Sequence, residues 1–395
     1  MNKNLIALAA AAYIAMTAVY AADPGTLAPP NRYGAAQKIV PSAVSGRNTG
    51  VASDTAAAPD AAAFNRHVTQ WRSFDVPGAV NGMSPTSIND LGEITGYYFD
   101  SNNCEHGFLR KANGQIMPFD PPNVGCTFPQ AGTTPTDINN ERDIVGNYQD
   151  EVGATHGFIR SAQGTYTMVD DPNASPPNTY AQAINDWGLI VGFWVDSNGN
   201  THGFVRQLDG SFIPFEPAGA VSSQGYHIND LGEVGGDWSD TTTSHGMLRY
   251  LGEKLVTFNA PNAIATFGGL GQALNFEGTF AGTYIDENGG AHGYVRYANG
   301  NFSEFKAPGG GDSYFNGTWS YSINILGTVV GPSYEPNGTA DAYVRFANGS
   351  LALADAPVAG QQGTTAAAIN DFNEFTGNWE DAKGNVHGFV AVAVP

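Results

Sequence analysis

The chain has 395 residues, a net charge of −20, 50 glycines and only 14% charged residues. Nucleic-acid-binding proteins need a basic surface against the phosphates, so this acidic balance excludes that class. A hydrophobic fraction of 42% with 11% aromatic residues is sufficient for a folded core and excludes a chain disordered throughout. Two cysteines are too few for a disulfide scaffold or a cysteine-based zinc site.

The first 21 residues have the pattern of a secretory signal peptide. Residues 1–4 are weakly basic, residues 5–19 are apolar and rich in alanine, and Ala21 follows as a small cleavage residue. The apolar run is too short for a typical membrane-spanning helix. We therefore expect an exported protein, periplasmic or extracellular, with no membrane span in its mature chain.

Residues 22–66 are rich in alanine and proline and show little apolar periodicity. Such a segment buries too little apolar surface to offset the entropy lost on ordering it. We interpret it as a linker between the signal peptide and a domain formed by residues 67–395.

That domain consists of seven repeats, each marked by an apolar residue followed by asparagine. The intervals between the markers are 44 to 50 residues, and repeats of this length with several short strands are typical of β-propellers. The seven steps are Ile88-Asn89, Ile138-Asn139, Ile184-Asn185, Ile228-Asn229, Leu274-Asn275, Ile323-Asn324 and Ile369-Asn370.

Each repeat reads as four antiparallel strands without a helix. In the third repeat, alternation and turn residues predict strands at 183–185, 189–196, 202–206 and 212–216. Asn198-Gly199 supplies the positive φ angles that a tight hairpin requires.

The seventh repeat ends after its third strand, and residues 71–77 match the fourth strand of the other repeats. We therefore predict an all-β, seven-bladed propeller whose last blade is completed by the N-terminal strand, which removes an open sheet edge.

Three recurring motifs resemble the HAF-type extracellular-repeat family of exported β-propellers. They are represented by Ile88 to Gly92, by Ile190 to Gly192 and by His202 to Phe204. The family has alanine where this chain usually has glycine in the third motif. The resemblance covers nearly all of residues 67–395 and implies a propeller, but it brings no catalytic residues.

Six histidines share one position, the start of the third strand, and each follows an aspartate by five or six residues. We expect each aspartate and histidine to form a hydrogen bond across a hairpin. Since neighbouring sheets pack about 10 Å apart, histidines from different blades cannot share one metal ion, and no metal site is predicted at the histidines. An arginine four residues after this position is interpreted as a structural ion-pair partner. The histidines are His106, His156, His202, His245, His292 and His387.

The two cysteines are expected to form a disulfide. Cys104 lies in the hairpin between the second and third strands of the first repeat, and Cys126 lies in the connection that leaves its fourth strand. In an up-and-down sheet these connections emerge on the same face, and an exported chain meets oxidising conditions.

The sixth repeat departs most from the pattern, because Glu335 and Asp341 replace its aspartate and histidine. Two facing carboxylates raise one pKa or attract a cation, so this pair is a candidate acid and base or a calcium site. No other cofactor is predicted. Drift of the repeat without a function is the alternative.

The loop before this hairpin is long and contains Asp312, Tyr314, Phe315, Trp319 and Tyr321. Aromatic rings beside carboxylates suit stacking on sugar rings and hydrogen bonding to hydroxyl groups. We predict a ligand-binding surface here, although these aromatic residues could instead pack between blades.

Tyr226 and His227 precede the marker of the fourth repeat and lie on an innermost strand beside the central channel. Tyr226 is a candidate ligand contact and His227 a candidate catalytic residue, with packing as the alternative for both.

The sequence is compatible with three functions. The leading hypothesis is a monomeric module that binds a polysaccharide or an envelope protein through the loops around blade 6. The second is an enzyme, either a polysaccharide lyase, a glycoside hydrolase or a lactonase-like metal hydrolase. The third is a purely structural surface protein, since propellers serve all three purposes.

Overall fold

The computed structural model describes residues 67–126, 131–175, 177–250, 252–269, 272–357 and 363–395. The predicted signal peptide, 1–21, and the predicted linker, 22–66, lie outside these residues. In the part of the chain that the structure describes, no helix is long and apolar enough to span a bilayer.

The described residues form 28 strands in seven four-stranded antiparallel sheets. In chain order the strands are β1 Val68–Phe74, β2 Met83–Ile88, β3 Ile94–Phe99, β4 Glu105–Arg110, β5 Ile116–Phe119, β6 Thr133–Ile138, β7 Ile144–Gln149, β8 Thr155–Arg160, β9 Tyr166–Val169, β10 Thr179–Ile184, β11 Ile190–Val195, β12 Thr201–Arg206, β13 Phe212–Phe215, β14 Ser222–Ile228, β15 Val234–Ser239, β16 Ser244–Arg249, β17 Leu255–Phe258, β18 Ala263–Gly268, β19 Phe280–Asp286, β20 Ala291–Arg296, β21 Phe302–Phe305, β22 Ser322–Ile323, β23 Val329–Tyr334, β24 Ala340–Arg345, β25 Leu351–Leu353, β26 Gly363–Ile369, β27 Glu374–Glu380 and β28 Val386–Ala393.

Blades 1 to 6 each take four consecutive strands, from β2–β5 to β22–β25. Blade 7 has the order β26, β27, β28 and β1, so the N-terminal strand is its outermost member. Val68 lies opposite Ala393, and Phe74 lies opposite Gly388. The predicted seven-bladed propeller and its closure by the N-terminal strand are confirmed.

The propeller has two ends with different connections. The loop face carries the hairpins between second and third strands, such as residues 100–104, and the connections between blades. The turn face carries the turns between first and second strands, such as 89–93, and those between third and fourth strands.

Two recurring glycines are required by close approach between strands. A Cβ on Gly192 would lie 2.0 Å from the carbonyl oxygen of Tyr180 on the neighbouring strand. A Cβ on Gly203 would lie 2.5 Å from the ring of Phe215. Both contacts are shorter than any real carbon contact, which explains the glycine in each of these two motifs.

Seven asparagines form a closed ring of hydrogen bonds around the propeller axis. Each side-chain amide donates to the backbone carbonyl of the asparagine in the next blade at 3.0–3.1 Å, and Asn370 closes the ring by donating to Asn89. This asparagine ring comprises Asn89, Asn139, Asn185, Asn229, Asn275, Asn324 and Asn370.

The side-chain oxygen of each ring asparagine also accepts the backbone N–H four residues ahead, as Asn185 does from Leu189 at 2.9 Å. One side chain therefore closes the turn of its own blade and fixes the next blade. All seven asparagines are buried, so the hydrogen bonds that their side-chain amides donate are shielded from water.

A glutamine from blade 5 crosses the axis beneath this ring. Gln272 donates from Nε2 to Oδ1 of Asp137 in blade 2 at 2.5 Å, and its carbonyl oxygen accepts the backbone N–H of Ile323 in blade 6. Asp137 is buried, and burial raises the pKa of its carboxyl group. The channel is thus spanned by polar side chains at this level.

Asn185→Ala should destabilise the fold by roughly 1–3 kcal/mol, because it removes one of the two hydrogen bonds to the buried Asn229 carbonyl and leaves the Leu189 N–H without its partner. Asn198→Ala, in an exposed hairpin, is the matched control and should change stability by less than about 0.5 kcal/mol. Urea unfolding measures both. Equal stability of the two variants would contradict a stabilising role for the asparagine ring.

Candidate functional site

Each repeat histidine lies in a polar stack on the loop face. In blade 1, Nε2 of His106 lies 3.8 Å from Asp100, and Nδ1 lies 2.7 Å from Asp120. The predicted aspartate–histidine contacts occur in all six blades at 3.0–3.8 Å. Three of them meet hydrogen-bond geometry.

This stack has a further member that was not predicted from the sequence. The residue at the end of the fourth strand bonds the histidine Nδ1 in five blades. It lies 14 positions after the histidine in four of them, and in blade 7 it belongs to the N-terminal strand. An aromatic ring on the second strand also contacts each imidazole. It is stacked in four blades, as Trp194 is on His202 with centroids 4.3 Å apart, and tilted in two. The fourth-strand partners are Asp120, Asp170, Glu216, Asn259 and Asp75.

The recurring arginines do not serve mainly as ion-pair partners, which corrects the sequence interpretation. Four of them lie over phenylalanine rings of the preceding blade, with the guanidinium carbon 4.8–5.1 Å from the ring centroid. Cation–π attraction thus joins neighbouring blades. These pairs are Arg110 with Phe74, Arg160 with Phe119, Arg296 with Phe258 and Arg345 with Phe305.

The predicted disulfide is confirmed. Cys104 is bonded to Cys126, with Cα atoms 5.6 Å apart. Among the described residues, Asp100, Cys104 and His106 are the group whose candidate ligand atoms lie within 4.8 Å of one another. Since the sulfur of Cys104 is oxidised in the disulfide, this group does not provide a thiolate for a metal.

In blade 6 the same stack lacks both its imidazole and its aromatic ring. Asp341 occupies the histidine position, and Ser333 lies opposite it where the other blades have tyrosine or tryptophan. Asp355 occupies the fourth-strand position and accepts the backbone N–H of Ala342 at 2.9 Å. Glu335 lies on the hairpin, at the position of the aspartate in the other blades. Glu335, Asp341 and Asp355 are called the blade 6 carboxylates.

The blade 6 carboxylates are electrostatically coupled. Burial, followed by repulsion from Glu335, raises the pKa of Asp341 to about 6. Burial and the charges of Asp341 and Glu335 raise the pKa of Asp355 to about 7. Asp355 was missed by the sequence analysis, although its 14-residue spacing from position 341 is the same as that between His106 and Asp120.

A glycine leaves room above two of these groups. A Cβ on Gly309 would lie 3.1 Å from Oδ2 of Asp341 and 3.4 Å from Oε1 of Glu335. Ligand oxygens of the three carboxylates are not gathered within 4.8 Å of one another in the described structure. The arrangement therefore offers hydrogen-bond acceptors at a surface rather than a closed metal cage.

The predicted aromatic loop lies against this hairpin. The backbone N–H of Gly311 donates to the carbonyl of Tyr334 at 2.9 Å, and the Asn316 side chain donates to the carbonyl of Pro336 at 3.2 Å. These bonds place the loop and the blade 6 carboxylates together on the loop face. Asp312 is exposed and forms an ion pair with Lys306.

Three aromatic rings of the loop form an edge-to-face cluster. Tyr314 contacts Phe315 and Trp319, with centroids 5.1 and 5.8 Å apart. Tyr314 and Trp319 are half-buried against a cluster in blade 5 that includes Phe267, whereas Phe315 is 66% exposed. Two rings thus support a third that projects into solvent.

Tyr321 and Tyr226 do not belong to this surface. Tyr321 is 6% exposed and Tyr226 is 4% exposed, and Tyr226 packs beside Phe193 in an apolar cluster. Burial raises the pKa of Tyr321 well above its ordinary value. Neither ring presents a face to a ligand, because strands of neighbouring blades cover both.

His227 is also buried, and both ring nitrogens have backbone partners. Nε2 donates to the carbonyl of Gly269 at 2.8 Å, and Nδ1 accepts the N–H of Ala273 at 3.2 Å. Burial lowers its pKa to about 3, so the ring is neutral at physiological pH. These contacts give His227 a structural role in holding the backbone at Gly269 and Ala273 rather than that of an acid or base.

A cleft of about 480 Å³ lies between blades 2 and 3. Trp194, Pro214 and Pro172 line it with apolar surface, and Glu216 and Asn173 add polar groups. The sequence analysis did not single it out, since its walls come from different repeats.

The fold has relatives among solved structures. No family model and no curated protein matches the chain. A prolyl endopeptidase structure is similar with a TM-score of 0.56 and 10% identity, covering 85% of this chain and 51% of that one. A puromycin hydrolase mutant gives 0.50 and 12%, with 76% and 52% covered. The BP39L lectin from Burkholderia pseudomallei gives 0.49 and 10%, with 79% and 98% covered.

The chain spans about half the length of the two hydrolase structures. At these identities the similarity shows the propeller fold alone.

Asp341→Asn should stabilise the fold at high pH. A carboxyl pKa raised in the folded state contributes stability that is full below pH about 4 and is lost as the pH rises through about 6 to 7. In EDTA, the variant should exceed the wild type by roughly 1 kcal/mol at pH 8, after allowance for partial exposure, and should equal it at pH 4.

Urea unfolding at both pH values measures this difference. Glu287→Gln, on the exposed blade 5 hairpin, removes one charge elsewhere and should have no such pH-dependent effect. A variant less stable than the wild type at pH 8 would show that the blade 6 carboxylates do not repel one another.

Proposed function

We propose that the protein is a binding module that takes polysaccharide chains on the loop face of blade 6. The observation that carries this proposal is the exposed ring of Phe315, supported by Tyr314 and Trp319 and placed beside the blade 6 carboxylates. Aromatic faces pack on the C–H face of a sugar ring, while carboxylates accept hydrogen bonds from its hydroxyl groups.

The charge of the surface narrows the ligand class. Asp312, Glu335, Asp341 and Asp355 place four carboxyl groups beside one lysine, Lys306, in a chain whose net charge is −20. Acidic polysaccharides would be repelled, so neutral glycans are the favoured ligands. An envelope protein that presents hydroxyl or amide donors is the alternative partner.

Rigid support of the aromatic cluster also favours binding. Tyr314 and Trp319 are anchored against blade 5, and the loop is bonded to the blade 6 hairpin by Gly311 and Asn316. A preformed surface loses little conformational entropy when a ligand binds.

The second candidate function is an enzyme, and the raised carboxyl pKa values favour it. With pKa values of about 6 for Asp341 and about 7 for Asp355, one group is protonated near neutral pH while another is ionised. This is the division of roles between a general acid and a base or nucleophile in glycoside hydrolysis. A polysaccharide lyase or a lactonase-like metal hydrolase would use the same carboxylates.

Export, a monomeric state, membership of the HAF-type family and a calcium ion at blade 6 stay predictions. The carboxylates supply the oxygen ligands that calcium prefers, so each binding experiment is run with calcium and with EDTA.

Phe315→Ala should lower the affinity for neutral glycans at least tenfold, because truncation removes the exposed stacking face at the centre of the surface. A glycan array identifies ligands for the wild-type chain, and calorimetry then compares the variants. Val152→Ala, which truncates an exposed apolar residue on the blade 2 hairpin, is the control and should bind as the wild type does.

Product formation separates the two candidates. Binding without turnover supports the module, whereas turnover that Asp341→Asn abolishes supports the enzyme. Glycan binding that survives Phe315→Ala but is lost in Trp194→Ala would move the site to the cleft between blades 2 and 3 and overturn the blade 6 proposal.

A further inference from the structure

The turn face carries a ring of exposed apolar side chains around the channel mouth. They lie in the turns that follow the ring asparagines, in six of the seven blades, and are 38% to 69% exposed. Seven of the fourteen large apolar residues exposed in the described structure lie here. This apolar ring comprises Leu91, Trp187, Leu231, Phe276, Ile325, Leu326 and Phe372.

The apolar ring is held in place by the asparagine ring beneath it. Asn89 and Asn370 accept the backbone N–H groups of Leu91 and Phe372 at 3.0–3.1 Å. The indole N–H of Trp187 donates to the carbonyl of Asp230 in the next blade at 3.0 Å. The turns at Leu91 and Phe372 and the indole of Trp187 are therefore fixed in position.

Carboxylates line the mouth inside the apolar ring. Asp90, Asp186, Asp230 and Asp371 each use Oδ1 to accept a backbone N–H from the preceding blade, at 2.8–2.9 Å. They surround a depression of about 150 Å³ that Gln272 lines from below. Burial and mutual repulsion raise the pKa of Asp230 and Asp371.

Exposed apolar residues that are gathered at one end of a protein mark an interaction surface. Apolar residues scattered singly over a surface are normal and have no such meaning. The position of the ring residues in tight turns leaves 38% to 69% of each residue exposed, so none of them belongs to the buried core. A structural explanation accounts for the asparagines and glycines of the turns but not for tryptophan, phenylalanine and leucine beside them.

We propose that the turn face is a docking surface for a partner protein that places a lysine or arginine side chain, flanked by apolar residues, in the channel mouth. The cation meets the four carboxylates, and its apolar neighbours cover the ring. A second copy of this chain is disfavoured, because two identical faces would bring two acidic mouths together. An anionic lipid surface is disfavoured for the same reason.

This docking surface lies at the opposite end of the propeller from Phe315, so it is independent of the proposed glycan-binding function. Each can fail without the other, and a variant in one face leaves the other intact.

Three acetylated and amidated pentapeptides test the proposal: Leu-Leu-Lys-Leu-Leu and its central glutamine and glutamate analogues. With the full chain, the lysine peptide should bind saturably, the glutamine peptide at least fivefold more weakly, and the glutamate peptide not measurably. Calorimetry measures the affinities, and higher salt should weaken the lysine peptide selectively.

Variants separate the two parts of the surface. Phe372→Ser should weaken the lysine and glutamine peptides alike, at least fivefold. Asp230→Asn combined with Asp371→Asn keeps an acceptor oxygen at each position and should reduce the preference for the lysine peptide over the glutamine peptide, because two of the four carboxylates are removed. Val152→Ser, on the loop face, should bind as the wild type does.

Equal affinity for all three peptides, no saturable binding, or an equal effect of Val152→Ser and Phe372→Ser would overturn the proposal. Analytical ultracentrifugation of the full chain tests whether a second copy occupies the turn face. A dimer that Phe372→Ser dissociates would show that it does and would overturn the proposed partner.

Discussion

Seven side-chain amides around the axis hold the blades in register, and each donates to a backbone carbonyl of the next blade. Asparagine suits this task because its amide donates outward while its oxygen accepts from its own turn. Aspartate has no donor, and the longer side chain of glutamine would change the spacing. The arrangement is complete only when Asn370 reaches Asn89, so the number of blades and the ring of hydrogen bonds determine each other.

Because the asparagine ring holds the blades together, residues on the loop face can differ from one blade to another. The six histidine stacks keep one pattern, and blade 6 replaces its imidazole and aromatic ring with Asp341 and Ser333 without losing its strands. The replacement costs electrostatic energy, because three carboxylates then lie together without the imidazole that the other blades place between their polar groups. A repeat protein can accept such a cost in one blade, since the remaining blades and the asparagine ring maintain the fold.

The sequence predicted those features that depend on spacing along the chain. The seven markers, the closing strand and the Cys104–Cys126 disulfide follow from period and topology, and all are present. The fixed spacing of 14 residues could also have identified Asp355, had the fourth strand been compared across repeats.

Burial was the property that the sequence did not reveal. Tyrosine and histidine are residue types that often form binding sites, but Tyr226, Tyr321 and His227 are all buried. The same holds in reverse for the apolar ring, where Trp187 and Phe372 look like core residues in sequence. A repeat pattern shows which residues are equivalent, whereas exposure depends on how successive blades are set against each other.

The closing pair of strands also determines how the propeller would respond to tension. β1 enters and β28 leaves at the turn face, with Val68 opposite Ala393. A force applied between these two ends would separate the strands one residue pair at a time, starting at Val68, instead of shearing all their hydrogen bonds together. Blade 7 would therefore open at low load, and the edge of β28 would be the first backbone presented to another strand.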